Sequence, residues 1–277
     1  MIIPKFPLGE IIEAILDFLT SHFAFLTKAV SDVTETGIDA LVAALTYPPP
    51  WVVILALAAL AWRLAGKRVG IFTLVGLSFL WNLQLWDATM QTLTLVLIAT
   101  AVAVAVGVPL GILAALFPGF HRVVTPILDF MQTMPAFVYL IPAIPFFGLG
   151  PVSAIFSTVI FAVPPAIRLT SLGILQVPRE LVECADAFGA TRGQKLRKVQ
   201  FPLAMPTIMA GVNQTIMLSL SMVVIAAMIG AKGLGGEVWK AIQRLEPGMG
   251  FEAGLAVVIL AMILDRITQK IAREEKA

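Results

Sequence analysis

From about residue 51 onward, long apolar runs alternate with short polar connections, and this pattern alone predicts a chain that crosses a membrane several times. A helix needs about 20 mostly apolar residues to span the hydrocarbon core. About seven stretches approach that length, at 51–65, 70–86, 89–117, 126–147, 151–169, 205–230 and 251–265. The third is long enough to tilt or protrude, and it carries Gly107-Val-Pro-Leu-Gly111, a small-residue face suited to close helix packing with a proline that can kink it. Residues 1–50 read differently. Leu8, Ile11, Ile12, Ile15, Leu19 and Phe23 recur at helical spacing opposite Glu10, Glu13, Asp17 and Thr20. A second run sets Ile38, Leu41, Val42 and Leu45 against Glu35 and Asp39, and Tyr47-Pro-Pro-Pro50 ends it. These are amphipathic helices expected at the membrane interface, with a regulatory segment as the alternative. The division expected is therefore an interfacial, extracytoplasmic segment at 1–50 and a transmembrane domain at 51–277, an all-α architecture.

Composition reinforces the pattern. With 277 residues, 59% hydrophobic and 13% charged, too few polar side chains exist to cover a soluble globule. A net charge of +2 gives no reason to expect a nucleic-acid partner. The single cysteine, Cys184, excludes an intramolecular disulfide and any multi-cysteine metal site. No secretory signal is evident, because Glu10, Glu13 and Asp17 interrupt the first apolar stretch. Placing the N-terminus outside puts fourteen of the 19 Lys and Arg residues in cytoplasmic segments and leaves Lys5, Lys28, Lys232, Lys240 and Arg244 outside. The positive-inside rule thus predicts an outside N-terminus and a cytoplasmic C-terminus. Trp51, Trp62, Trp81 and Trp86 fall near expected span ends, as interfacial anchors do.

Between the spans lies one long polar segment, about 178–202, containing Glu183–Pro202, ECADAFGATRGQKLRKVQFP. Pro178 suits a helix start, Glu180 lies in a first turn where the helix dipole favours an anion, and Gly189 can end the helix in a left-handed conformation. Leu181, Cys184, Ala185 and Phe188 share one face, expected to pack, while Arg179, Glu183 and Asp186 share the other. A second short helix, about Thr191 to Val199, carries Arg192, Lys195, Arg197 and Lys198, with Pro202 limiting it. The spacing of Glu183, Cys184, Ala185, Gly189, Val199 and Pro202 resembles the E-A-A, three residues, G, nine residues, I-x-L-P pattern of permease subunits of ATP-binding-cassette importers. In that family the cytoplasmic EAA loop docks into the ATPase subunit, so Glu183, Cys184, Ala185, Gly189 and Pro202 are implied as coupling residues. Cys184, Val199 and Phe201 depart from the pattern by small or apolar swaps. An ordinary basic loop is the plainer reading of the same composition.

Candidate chemistry elsewhere is sparse. His22 and His121 have no partner at metal-ligand spacing, and Gly230-Ala-Lys-Gly-Leu-Gly-Gly236 lacks the Lys-Ser/Thr ending of a phosphate loop, so it reads as a turn. The informative polar groups lie inside expected spans: Gln132 and Thr133 in the fourth, Asn213, Gln214 and Thr215 in the sixth. Amides at that depth must pair across helices or line water, so they are either interhelical ties or the lining of a pathway. Asp129 and Asp265 sit near cytoplasmic ends, and no regular set of mid-span charges suggests a proton relay or voltage sensor.

Longer blocks carry a closer resemblance. Gln132-Thr-Met-Pro-Ala-Phe-Val-Tyr-Leu140, Val163-Pro-Pro-Ala-Ile-Arg-Leu-Thr170, Phe201-Pro-Leu-Ala-Met-Pro-Thr-Ile-Met-Ala-Gly-Val-Asn-Gln214 and Ile263-Leu-Asp-Arg-Ile-Thr268 resemble the permeases of bacterial glycine betaine, proline betaine and choline importers. The resemblance covers about residues 88 to 268. It implies a type I importer core and a homodimer in the inner membrane, with one EAA loop from each copy. It further implies two partner ATPase subunits that hold ATP and magnesium, and a solute-binding protein. Since the chain stops at Ala277, that binding protein is expected to be a separate extracytoplasmic one. This chain would bind no cofactor and hydrolyse nothing. A permease for another small solute, an ion-coupled secondary transporter and a structural or signalling membrane subunit are the alternatives.

Overall fold

The computed structural model describes residues 7–274, and among them it contains helices and short connections with no strand. The two amphipathic runs form α1 (Leu8–His22) and α2 (Ala24–Thr46). The prolines after Tyr47 then turn the chain by 100° into α3 (Pro50–Ala65), with Pro50 at a first-turn position where its missing N–H goes unneeded. Gly66 reverses the chain into α4 (Lys67–Asn82), which folds back on α3. Next come α5 (Trp86–Leu116), α6 (Pro118–Thr133), a 3₁₀ turn at Ala136–Tyr139, α7 (Leu140–Phe147) and α8 (Pro151–Leu175). The polar segment holds α9 (Arg179–Ala187) and α10 (Arg192–Lys195), and α11 (Phe201–Ala227), α12 (Leu234–Arg244) and α13 (Pro247–Glu274) complete the fold.

The all-α expectation holds, but the apolar runs do not each become a straight span. Among the described residues, four stretches are long and apolar enough to cross alone: α5, α8, the continuous stretch Arg192–Ala227 and α13. Counting each sharply bent pair, α2 with α3 and α6 with α7, gives six. α3 and α4 have only 16 residues each, short of the roughly 20 a straight crossing needs, so they form a short hairpin. The expected span at 126–147 is broken by 112° between α6 and the segment after it. Pro135 causes this break, since it has no N–H for the Met131 carbonyl four residues back. The Tyr139 hydroxyl donates to that carbonyl instead, and Ser157 of α8 donates to the Tyr139 carbonyl at 3.1 Å. Without water, an orphaned carbonyl in the bilayer is costly, and here the chain satisfies it from its own side chains.

The bundle is centred on α8, which glycines let two neighbours approach. A β-carbon at Gly107 would stand 2.6 Å from Ala166 Cβ, and one at Gly111 would stand 2.6 Å from the Ile167 carbonyl oxygen, so the small-residue face of α5 packs directly on α8. On another side, Gly211 of α11 meets Leu169 and Pro165, and Gly173 of α8 meets Ala204 and Thr207. Neither helix covers the remaining face of α8, which carries Phe161, Arg168, Leu172 and Leu175.

Three other expectations are refined. Trp51, Trp62 and Trp81 are exposed, as anchors should be, whereas Trp86 is buried in the apolar core of the bundle and is no belt residue. Of the Gly230–Gly236 segment, residues 230–233 form the expected turn while Leu234, Gly235 and Gly236 open α12, and the Leu234 N–H donates to Thr92 Oγ1 of α5 at 2.8 Å. α12 was not anticipated, although Leu234, Val238 and Ala241 recur at helical spacing; its eleven residues are too few for a span-length pattern to register. α1 and α2 occupy the expected amphipathic runs, and α2 leans on α5, α7 and α8, with Ile38 buried there.

Candidate functional site

The polar segment is built from two local stop and start signals. α9 ends at Gly189 with φ +73°, where the Gly189 N–H bonds the Asp186 carbonyl at 2.9 Å and the Ala190 N–H bonds the Ala185 carbonyl at 3.0 Å. This pair of bonds is a Schellman motif, and it needs a left-handed residue that glycine adopts without cost. Two residues on, Thr191 opens α10 with a capping box: Gln194 N–H to Thr191 Oγ1 at 3.4 Å and Thr191 N–H to Gln194 Oε1 at 2.8 Å. Lys195 then reaches back to Asp186 at 2.6 Å, fixing the angle between α9 and α10. Both partners keep some solvent contact, so the pair orients the helices more than it stabilises them.

Two readings of this segment are corrected. Pro202 does not end the second helix. It sits in the first turn of α11, and a π-helical turn at Leu196–Gln200 carries the chain through, the Phe201 N–H bonding the Leu196 carbonyl. The wider turn accommodates a proline that has no hydrogen to donate. Nor does the apolar face of α9 pack on the chain. Leu181 and Cys184 are exposed and Phe188 is 87% exposed, while only Val182 and Ala185 are half-buried. A membrane chain thus displays an apolar helix face beside exposed Arg192, Arg197 and Lys198, on a polar segment outside its apolar bundle.

The intramembrane polar residues separate into two groups. Asn213 is half-buried and ties α11 to α13: its Nδ2 donates to Asp265 Oδ1 at 2.8 Å, and its Oδ1 accepts from Thr268 Oγ1 at 2.7 Å. Gln269 donates to the same Asp265 oxygen at 2.7 Å. Thr215 is buried, donating to the Ala162 carbonyl of α8 at 3.1 Å. Gln214 points elsewhere, on an exposed stripe of α11 with Ala210, Met217, Ser221 and Met228. Gln132 and Thr133 are also exposed, at the end of α6 where the chain breaks. Among the described residues they share no hydrogen bond with Asn213 or Gln214, although the 3₁₀ turn after them touches α11. Sequence reasoning missed the ion pair between Asp129 of α6 and Arg168 of α8. The two are 39 positions apart, and only the fold brings them together. No group of three or more potential metal ligands occurs among the described residues.

An all-helical multi-pass chain, with a glycine-cornered polar loop held outside its bundle and uncharged polar residues on an open helix face, has the build of a membrane permease component. Residues 107–275 match the family of binding-protein-dependent transport system inner membrane components, and this chain belongs to it, among the permeases of glycine betaine ATP-binding-cassette transporters. The glycine betaine transport system permease protein OpuAB of Bacillus subtilis is 48% identical over 275 residues, covering 99% of this chain and 98% of that protein. The glycine betaine/carnitine transport permease protein GbuB of Listeria monocytogenes is 50% identical over 279 residues, 99% of each chain. The glycine betaine/proline betaine permease ProW of Escherichia coli is 45% identical across 98% of this chain and 77% of its own length. A chain of the MetNI methionine transporter, solved in inward-facing conformations, shares the fold with a TM-score of 0.62 at 23% identity, covering 67% of this chain and 93% of that one.

Proposed function

We propose that this chain is the membrane-spanning subunit of an ATP-driven importer, and that it carries glycine betaine, proline betaine or choline across the bacterial inner membrane. The observation that carries this reading is the uncovered apolar face of α9 on a rigidly capped loop, in a chain whose full-length relatives are glycine betaine permeases. An exposed Phe188 and Leu181 on such a loop call for a partner surface, and the ATPase subunit fits that need. In this reading Glu183, Cys184, Ala185, Gly189 and Pro202 form or shape the contact. ATP and magnesium reside on the ATPase, and the chain itself is not catalytic.

Two copies form the pathway, each supplying one loop, and a separate extracytoplasmic binding protein delivers the solute. ATP closes the ATPase dimer, the loops follow, and the spans rearrange from inward to outward access. Residues 1–50 lie at the outer interface, residues 51–277 form the permease domain, and the C-terminus is cytoplasmic, which requires an odd number of crossings: the two short arms of the α3–α4 hairpin, α5, the bent α6–α7 pair, α8, Arg192–Ala227 and α13. Gln214, with Gln132 and Thr133, lines the route, while Asn213 holds the helices that frame it. The test is reconstitution into liposomes with the ATPase and the binding protein. ATP-dependent uptake of radiolabelled glycine betaine that stops without the ATPase is the expected result. Uptake by this chain alone, driven by an ion gradient, would replace the reading with a secondary transporter.

A further inference from the structure

α8 keeps one face clear of α5 and α11, and the half-buried Arg168 on that face pairs with Asp129 of α6. Beside the pair, between α6 and α8, opens a cavity of about 380 Å³. Its walls are mostly apolar, supplied by Val124, Leu128, Ile167 and Leu172 among others. Three further polar residues line it: His121, Thr125, whose hydroxyl already donates to the His121 carbonyl at 2.8 Å, and Ser171, only 4% exposed, whose hydroxyl has no hydrogen-bond partner. Ser171 lies three residues after Arg168, so the two side chains are neighbours on the helix surface. A buried hydroxyl without a partner is costly, and rotation of this one toward the cavity would give it a partner in a bound ligand.

The chemistry of the cavity is specific. Besides His121 and the already bonded Thr125, it offers one cation, one anion, a spare hydroxyl donor and apolar walls, with no net charge from the ion pair. A quaternary ammonium group cannot donate a hydrogen bond, so an opposite charge, an aromatic face or contact with its methyl groups must hold it, and with no Phe, Tyr or Trp among its lining residues this cavity supplies the first and the last. A carboxylate, in contrast, is best held by a guanidinium and a hydroxyl. We infer that this cavity is a transient solute site on the transport route, selective for zwitterions that join a quaternary ammonium to a carboxylate. The solute carboxylate takes Arg168 and the Ser171 hydroxyl, its ammonium takes Asp129, and its methyl groups meet Leu128 and Leu172. Each charge of the solute replaces one partner of the existing ion pair. Exchange of partners keeps the site weak enough to release what it receives, as a conducting pathway requires. Choline, which has the ammonium without the carboxylate, would leave Arg168 unpaired. This inference rests on the importer reading and adds a selectivity filter within the permease to whatever the binding protein imposes.

A protection experiment tests the site without relying on uptake. In a Cys184→Ser background, which removes the only native cysteine, Leu172→Cys places a thiol on the exposed rim of the cavity. The permease is purified with its ATPase and labelled with a neutral maleimide, with glycine betaine, choline or no solute added. Glycine betaine should slow labelling at least threefold, and choline at the same concentration should slow it less than half as much. Adding Asp129→Asn and Arg168→Gln together should abolish the protection by glycine betaine. The milder Ser171→Ala should raise the concentration needed for half-protection several-fold, in a variant that removes only one small polar group. Unchanged labelling in glycine betaine, equal protection by both solutes, or protection that survives loss of both charges would each overturn the site. Parallel uptake by the Leu172-containing complex keeps the outcomes apart: ATP-driven uptake without protection rejects this site alone, and absence of uptake rejects the importer reading beneath it.

Discussion

Asn213 and Gln214 are adjacent amides, yet one is enclosed by Asp265 and Thr268 while the other stands on the open stripe of α11. Neighbouring helical positions point about 100° apart, which is why the two cannot share a role. Asn213→Leu removes a charge-assisted donor from Asp265 and the acceptor for Thr268. A loss of about 1.5–3 kcal/mol is expected for such a bond, visible as a lower melting temperature of the purified permease and reduced assembly. Gln214→Leu should melt and assemble as wild type while lowering solute uptake several-fold in the reconstituted complex. Identical behaviour of the two variants in both assays would contradict the division.

The broken span shows best what a sequence pattern conveys at the scale of an element. Residues 126–147 are apolar enough to read as one helix, and nothing in their hydropathy marks the 112° bend. Pro135 is the visible signal, but other prolines, Pro109 and Pro165 among them, sit inside unbroken helices. Whether a proline breaks or merely perturbs a helix depends on who satisfies the freed carbonyl, and here that is Tyr139, held in turn by Ser157 from another helix. Tyr139→Phe should therefore leave the Met131 carbonyl unsatisfied at a cost of about 1–3 kcal/mol. The expected result is a lower melting temperature with reduced uptake, read by thermal unfolding and transport in parallel; wild-type values in both would show that the hydroxyl does not hold the break. By contrast, the loop corner at Gly189 and the amphipathic N-terminal helices were legible, because caps, glycine corners and hydrophobic periodicity are local. The Asp129–Arg168 pair and the direction of the α9 face were not, since both depend on which helices stand beside them.

For the whole molecule, orientation and coupling remain to be measured together. The charge distribution predicts the loop inside and residues 1–50 outside. In a Cys184→Ser background, Val30→Cys should react with an impermeant thiol reagent in intact cells, and Arg197→Cys only after permeabilisation; the reverse order would invert the topology. Arg197 is exposed and suits the probe, whereas the nearby Lys195 is engaged with Asp186.

Coupling is the central claim, and Gly189 isolates it. At φ +73° a side chain costs about 1 kcal/mol of backbone strain, yet apart from its two chain neighbours no described residue lies within 4 Å of where its β-carbon would be. The spans and the bundle core are remote from that change. Glu183→Ala, which removes one exposed charge without altering the corner, should have a milder effect. The direct measurement is recovery of the ATPase subunit on purified Gly189→Asp permease, together with solute-stimulated ATP hydrolysis in the reconstituted complex. Normal membrane insertion with at least a tenfold loss of both ATPase recovery and stimulated hydrolysis is the predicted result. Retention of both at wild-type level would mean that the loop does not couple this permease to an ATPase.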